Sequence, residues 1–188
     1  MILPDHEIRA MLKEGTLVID PITDPERQIR AAGVDLRLGN EFRLFKSSGI
    51  PYIDTRNRPE NYTEMVRVKD DEPFVVHPGE FVLGNIKEYI RMPSCLMGSV
   101  DGRSSMGRLG IVIHATSSSI NPGWEGRFVL EITNIGKMPV AIYPGHRIAK
   151  LTLHRLSSEP EACYAKRKDT KYHGQEGVGE TKIHEESS

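Results

Sequence analysis

Pro139-Val140-Ala141-Ile142-Tyr143-Pro144-Gly145-His146-Arg147-Ile148 repeats, with different side chains, the pattern of Pro73-Phe74-Val75-Val76-His77-Pro78-Gly79-Glu80-Phe81-Val82. Each copy is a short β-type run, a Pro-Gly pair and a second β-type run. Proline presets φ at the second position of a turn and glycine supplies positive φ at the third, so both pairs predict type II turns. Two such hairpin corners predict a sheet folded over on itself. Around them the side-chain period is two: Val34-Asp35-Leu36-Arg37-Leu38 alternates strictly, and Phe42 and Leu44 resume after Gly39-Asn40. One segment has helical spacing. Ile8, Met11 and Leu12 lie between Asp5, expected as the N-cap, and Gly15, expected as the stop, which predicts a helix over 5–14. Residues 46–72, broken by Gly49, Pro51 and Pro59, are expected to form a long surface excursion with one strand near 65–68.

Short, evenly punctuated strands without βαβ units predict a mainly β fold, a distorted jelly roll or β-barrel with a short N-terminal helix and a C-terminal tail. From Glu159 the composition turns polar, and Lys166-Arg167-Lys168-Asp169-Thr170-Lys171 begins a segment with no apolar face. Left to itself it would be disordered. The expected division is a β domain over 1–160 and a flexible tail over 161–188.

Of the 188 residues 38% are hydrophobic and 27% charged, within the range of an ordinary globular protein. The 25 Lys+Arg against 26 Asp+Glu give a net charge of -1, so nothing global draws the chain to nucleic acid or an anionic membrane. Any basic site must be local. Cys95 and Cys163 cannot make a C-x-x-C element, which argues against a disulfide framework and a four-ligand zinc site; each is expected as a small buried hydrophobe. Asp5 and Glu7 stand where a signal peptide needs a basic and then an apolar stretch, and no apolar run approaches the roughly 18 residues of a membrane span. A reducing, cytoplasmic setting is expected.

The chemistry concentrates in Asp101-Gly102-Arg103-Ser104-Ser105-Met106-Gly107-Arg108-Leu109-Gly110. Glycines let backbone N–H groups approach a phosphate, serines add donors, and arginine forks match phosphate oxygens. The spacing fits neither a Walker loop nor a dinucleotide fingerprint. Next come a strand ending in His114-Ala115-Thr116, a loop Ser117-Ser118-Ser119-Ile120-Asn121-Pro122-Gly123-Trp124-Glu125-Gly126, and the strand Arg127-Phe128-Val129-Leu130-Glu131-Ile132-Thr133-Asn134. Alternation sets Phe128, Leu130 and Ile132 on one face and Arg127, Val129 and Glu131 on the other. A mid-strand carboxylate is usually the polar face of a half-solvated sheet; lining a closed pocket, it suits general acid–base work. Trp124 is ordinarily core or lid, and His114 a satisfied core histidine.

Gly102-Arg103-Ser104-Ser105-x-Gly107-Arg108-Leu109-Gly110, Thr116, Pro122-Gly123-Trp124-x-Gly126 and Leu130-Glu131-x-x-Asn134 together resemble the signature of dCTP deaminases, relatives of the trimeric dUTPases. Met1-Ile2-Leu3-Pro4-Asp5, the Val34-to-Gly39 strand, His77-Pro78-Gly79-Glu80 and the tail from Tyr164 through Lys171-Tyr172 to Gln175 and Gly177 match in order. The resemblance implies a homotrimeric dUTPase-like fold with active sites between subunits, converting dCTP and water to dUTP and ammonia. Glu131 falls at the catalytic position, and Ser104 and Arg108 at positions that hold the reacting water and the glutamate, some reaching in from the adjacent subunit. Arg103 and Ser105 match triphosphate and pocket contacts, and Met106, Gly107 and Thr116 further substrate-binding positions. Ala115, Val129 and Leu130 match positions that meet the base, largely through backbone. Asn121 and Trp124 match the deoxyribose contacts, while Tyr164, Lys171 and Gln175 match tail residues that close over the triphosphate. Mg2+ is implied with those phosphates, held by them and by water, with dTTP as an inhibitor of many members.

Zinc-dependent nucleobase deaminases need H-x-E with a downstream P-C-x-x-C, and this sequence has neither, so zinc is not expected and one carboxylate must move the protons. Asn121 stands where the acid tied to cleavage between the α- and β-phosphates is found in relatives. An amide is no base, which weighs against the diphosphatase alternative. The serine triplet 117–119 makes the base-side loop more polar than usual, and Lys150 stands where many relatives have glutamine. Two rivals remain: a dUTP diphosphatase or bifunctional enzyme making dUMP, and a non-catalytic nucleotide-binding regulatory barrel.

Overall fold

The computed structural model describes residues 1–46, 51–57, 60–114 and 116–187. Gly49 and Pro59 of the expected excursion, Ala115 and Ser188 lie outside the described residues. In chain order the elements are α1 (Asp5–Glu14), β1 (Val18–Asp20), α2 (Pro25–Gln28), β2 (Ile29–Arg30), β3 (Gly33–Phe45), β4 (Thr63–Arg67), β5 (Phe74–Val76), β6 (Phe81–Ile86), β7 (Tyr89–Arg91) and β8 (Leu96–Gly102). There follow α3 (Ser104–Gly107), β9 (Ile111–Ile113), β10 (Ser119–Ile120), β11 (Glu125–Gly126), β12 (Val129–Asn134), β13 (Val140–Ile142) and β14 (Arg147–Arg155).

The expected helix forms, with Ile8 buried and Gly15 capping it at φ 71°. Its N-cap is Pro4 rather than Asp5, and no side chain caps it: Asp5 is already the first helical residue, and a carboxylate there meets the positive end of the helix dipole. The strand expected near 65–68 is β4 and begins two residues earlier.

The main sheet runs β10-β8-β14-β3-β6-β12-β9, with β2 and β4 also on β3. β3 is the element that folds it. Its first half pairs with β14, where Leu36 faces Ala149 and Leu151 faces Val34. Its second half pairs with β6, where Phe42 faces Gly84, after a register shift between Leu38 and Phe42. A bulge bends and twists its strand, and Gly39 sits in this one: a Cβ there would lie 2.0 Å from Asn85 Oδ1. Val34, Leu36, Leu38 and Phe42 thereby face a single core shared with Ile86, Leu130, Ile132, Leu151 and Leu153, all buried.

The two Pro-Gly turns form with Gly79 at φ 78° and Gly145 at φ 80°. They are corners but not hairpins. β5 pairs with β13 across the repeat, Val76 facing Val140 and Phe74 facing Ile142, while β6 and β14 depart into the main sheet. The hairpin expectation is corrected by twist: a type II turn splays its flanking strands, and the first strand of each copy finds its partner in the other copy while the second joins the main sheet. β1, β7 and β11 make a third, small sheet. Cys95 and Cys163 are free and half-buried rather than buried. No described helix is long and apolar enough to cross a membrane.

Candidate functional site

Glu131 is placed by backbone registry. β12 lies between β6 and β9, with Glu131 opposite Leu83 and Ile132 opposite Ile113. Alternation buries Leu130, Ile132 and Asn134 and leaves Val129, Glu131 and Thr133 half-buried on the other face. Phe128 departs from the expected pattern. It precedes the strand, is half-buried, and turns its ring toward the Glu131 side, edge-on to Trp124 and tilted against His114.

That face closes a cavity of about 440 Å³, the size of a small-ligand pocket. The expected residues Asn121, Trp124, Val129, Glu131, Tyr164 and Gln175 all line it. Thr116 grips the carboxylate directly: its N–H donates to Oε2 at 3.1 Å, and its hydroxyl lies 2.7 Å from Oε1 and 2.9 Å from Oε2. A carboxylate held by an amide and a hydroxyl has a fixed direction, which a proton shuttle needs. His114 stands beside it at φ 62°, its N–H donated to the Glu131 carbonyl at 2.9 Å. Neither ring nitrogen has a hydrogen-bond partner among the described residues, so it is not the satisfied core histidine expected. Burial pushes its pKa down, opposed by the charges of Glu131 and Asp101.

The loop side is held by Trp124, which is buried and donates Nε1–H to the Tyr172 carbonyl at 2.9 Å. The tail runs along this wall. Tyr164 N–H donates to the Pro122 carbonyl at 2.8 Å, Arg127 N–H to the Gln175 carbonyl at 2.6 Å, and Val178 is buried. Arg43 then holds the Val178 carbonyl at 2.8 Å and the Glu180 carboxylate at 3.1 Å. Tyr172, Glu180 and Thr181 consequently line the cavity as well, with Phe45 and Leu83 from β3 and β6. Tyr172 belongs to the tail stretch that carries the family resemblance, whereas Phe45 and Leu83 carry no sequence signal beyond strand alternation.

Other expected residues lie elsewhere. Arg103, Ser104, Ser105, Met106, Gly107 and Arg108 form the single turn α3 and its flanks and line no part of this cavity. Ser104, Ser105 and Arg108 are exposed. Leu130 is wholly buried on the core face, so only its backbone is available to a ligand. Lys171 lines a neighbouring hollow, its ammonium paired with Glu186.

A family model described as dCTP deaminase-like matches residues 2–156. A relative from Dictyoglomus thermophilum named "dCTP deaminase, dUMP-forming" is 48% identical over 94% of this chain and 92% of its own. One from Natronomonas pharaonis named "dCTP deaminase" is 45% identical over 97% of this chain and 95% of its own. Among solved structures, a 2'-deoxycytidine 5'-triphosphate deaminase from Agrobacterium tumefaciens superposes with a TM-score of 0.65 at 24% identity. That match covers 82% of this chain but spans about half, 48%, of the other, and is a likeness of fold.

Proposed function

The chain belongs to the dCTP deaminase-like family, and from that premise we propose that it hydrolyses the exocyclic C4–N bond of dCTP, giving dUTP and ammonia. The single observation that carries this reading is the Glu131 carboxylate, gripped on both oxygens by Thr116 in the wall of a cavity with the volume of a small-ligand pocket. Glu131 takes a proton from water as the oxygen bonds to C4, and delivers that proton to N3. It then carries the second proton of the former water to the amino nitrogen, which leaves as ammonia as the C4 carbonyl forms. Atoms balance with no further reactant, and general acid–base transfer of this kind contributes about 10²- to 10⁴-fold. Trp124 and Asn121 would flank the sugar.

The arginine-serine turn supplies what the cavity lacks. Exposed Ser104 and Arg108 fit a homotrimer in which α3 of one subunit completes the site of the next, Arg108 fixing the glutamate and Ser104 the water. Residues expected at the phosphates, Arg103, Ser105 and Lys171, are cations and a hydroxyl, a donor set for an anion rather than for a metal. Mg2+ would therefore arrive on the triphosphate, coordinated by its oxygens and water, and screen its charge. The tail, already laid along the cavity wall, would close over the phosphates and exclude water. dTTP, sharing sugar and triphosphate, would compete for the same pocket, and a cytoplasmic nucleotide pool is the setting this chemistry fits.

A second reading, continuation to dUMP and pyrophosphate at the same site, is favoured by the name of the Dictyoglomus relative. Against it stands Asn121 in the cavity wall, which cannot deprotonate a water. One incubation with dCTP and Mg2+, resolving ammonia, dCTP, dUTP and dUMP over time, separates them. Ammonia matched by dUTP supports deamination alone. dUMP with pyrophosphate supports the second reading. Triphosphate binding without ammonia overturns both in favour of a regulatory barrel.

A further inference from the structure

Asp35 is a carboxylate on β3 with only 5% of its surface exposed, and it stands between two arginines. Its Oδ2 lies 3.1 Å from Arg147 Nη1 and 3.5 Å from Arg103 Nε. The two arginines are linked to each other, Arg103 Nη1 donating to the Arg147 carbonyl at 3.0 Å. Their backbones are fixed too: Arg103 N–H donates to the Ile148 carbonyl at 3.1 Å, and β14 and β3 pair through Leu36 and Ala149. Arg147 Nη1 also reaches the Arg27 carbonyl at 2.8 Å, so this end of the cluster is anchored to α2. The Nη2 group of Arg103 has no partner among the described residues, and the side chain remains 30% exposed.

A long arginine side chain loses considerable rotamer entropy when it docks on a ligand. An arginine whose Nε and Nη1 groups are already engaged has lost most of it beforehand. With two guanidinium groups against one carboxylate, the cluster keeps a net charge of about +1 by that arithmetic, so the exposed edge still attracts an anion.

We infer that Asp35 is a positioning residue for phosphate binding: it locks the guanidinium of Arg103 so that its Nη2 edge is presented, preorganised, to the triphosphate of a pyrimidine nucleotide. This rests on the proposed function, which places Arg103 at the triphosphate, and adds how that arginine is aimed. Asp35 touches no reacting atom. It acts through Arg103, with Arg147 sharing its charge.

The test is a cycle of Asp35→Asn, Arg103→Ala and the double variant, read as KM and kcat for dCTP together with the affinity for deoxycytidine, which lacks phosphates. Asp35→Asn keeps the shape and removes the charge. We expect its KM for dCTP to rise about tenfold or more with kcat changed less than about threefold, deoxycytidine affinity unmoved, and no further rise when Asp35→Asn is added to Arg103→Ala. Asp35→Glu, which restores a carboxylate one methylene further out, should recover part of the loss, and it serves as the reading if Asp35→Asn fails to fold by thermal melting. Equal KM increases in the presence and absence of Arg103, or a fall in kcat at constant KM, would overturn the inference while leaving deamination intact. A wild-type protein that binds no pyrimidine nucleoside triphosphate would overturn both.

Discussion

The strand 127–134 and the turn 102–110 carry the densest chemistry in this chain, yet the fold treats them in opposite ways. β12 is held on both sides by strands of its own chain, so Glu131 is aimed by the register of β6 and β9 and fastened by Thr116. α3 is one exposed turn whose Ser104, Ser105 and Arg108 line no part of the cavity that Glu131 faces. One half of the proposed site is therefore complete within a single chain, and the other half is presented outward. Registry fixes a carboxylate without help; an arginine on a solvent-facing turn is useful only to whatever docks against it.

The harshest way to probe the inward half is Glu131→Gln, which keeps the shape and the Thr116 hydroxyl contact but removes the base. Ammonia release should fall by about three orders of magnitude or more under the proposed mechanism, in which one group performs every proton transfer. Nucleotide affinity, measured by calorimetric titration, should change by less than about threefold. Residual activity above a tenth of wild type would move the proton shuttle elsewhere.

The outward half is broken by mixing. Arg108→Ala alone should lower ammonia release about a hundredfold or more, the range set by losing one preorganised charged donor. Refolded together at equal amounts, Arg108→Ala and Glu131→Gln chains should recover about a quarter of wild-type activity if each site takes its glutamate from one subunit and its arginine from the next, because half of each are intact. Two deficient proteins whose mixture stays inactive would mean that both residues serve the same chain's site.

What was legible beforehand follows the same division. Alternation placed Leu130, Ile132 and Glu131 on their correct faces, because in a strand flanked by two partners the side-chain direction is dictated by position. It misplaced Phe128, which lies just outside β12 and keeps only the Ile86 N–H donated to its carbonyl at 3.0 Å as a link to β6. The Pro-Gly repeat revealed two corners but not that β5 and β13 would pair with each other, since pairing is decided by tertiary proximity and not by the turn. The resemblance marks Thr116 as substrate-binding but does not reveal its grip on the carboxylate: a loop hydroxyl declares its partner only when the chain is folded. The tail shows no periodicity, and its order on the body comes from scattered backbone contacts such as Arg127 with Gln175.

Those scattered contacts suggest a milder perturbation. Trp124→Phe keeps an aromatic wall opposite Phe128 and deletes the Nε1–H donated to the Tyr172 carbonyl. A single hydrogen bond of this kind is worth about 1 kcal/mol. The tail should open more readily, KM for dCTP should rise about fivefold, and kcat should hold within about twofold. Proteolysis in the 165–172 segment should quicken, and dCTP should protect it. Unchanged cleavage and KM would mean that the tail is held by its other anchors.

The subtlest difference between the halves is in pH response, because only the inward half contains a buried imidazole. Burial lowers the His114 pKa from its unfolded value of about 6.5. Between those two values the unfolded chain binds a proton that the folded chain refuses. Its contribution to stability is therefore fully present above about pH 6.5 and is lost progressively as pH falls toward the folded value. Glu131 and Asp101 pull the other way, so the loss is partial. His114→Asn removes the titration and suits the backbone, since asparagine tolerates the φ of 62° found here better than most residues. Thermal melting of wild type and variant from pH 7.5 to 5 should converge toward the acid end, the wild type losing more. Parallel curves would assign the acid sensitivity to other groups and show that the imidazole is protonated as easily in the fold as out of it.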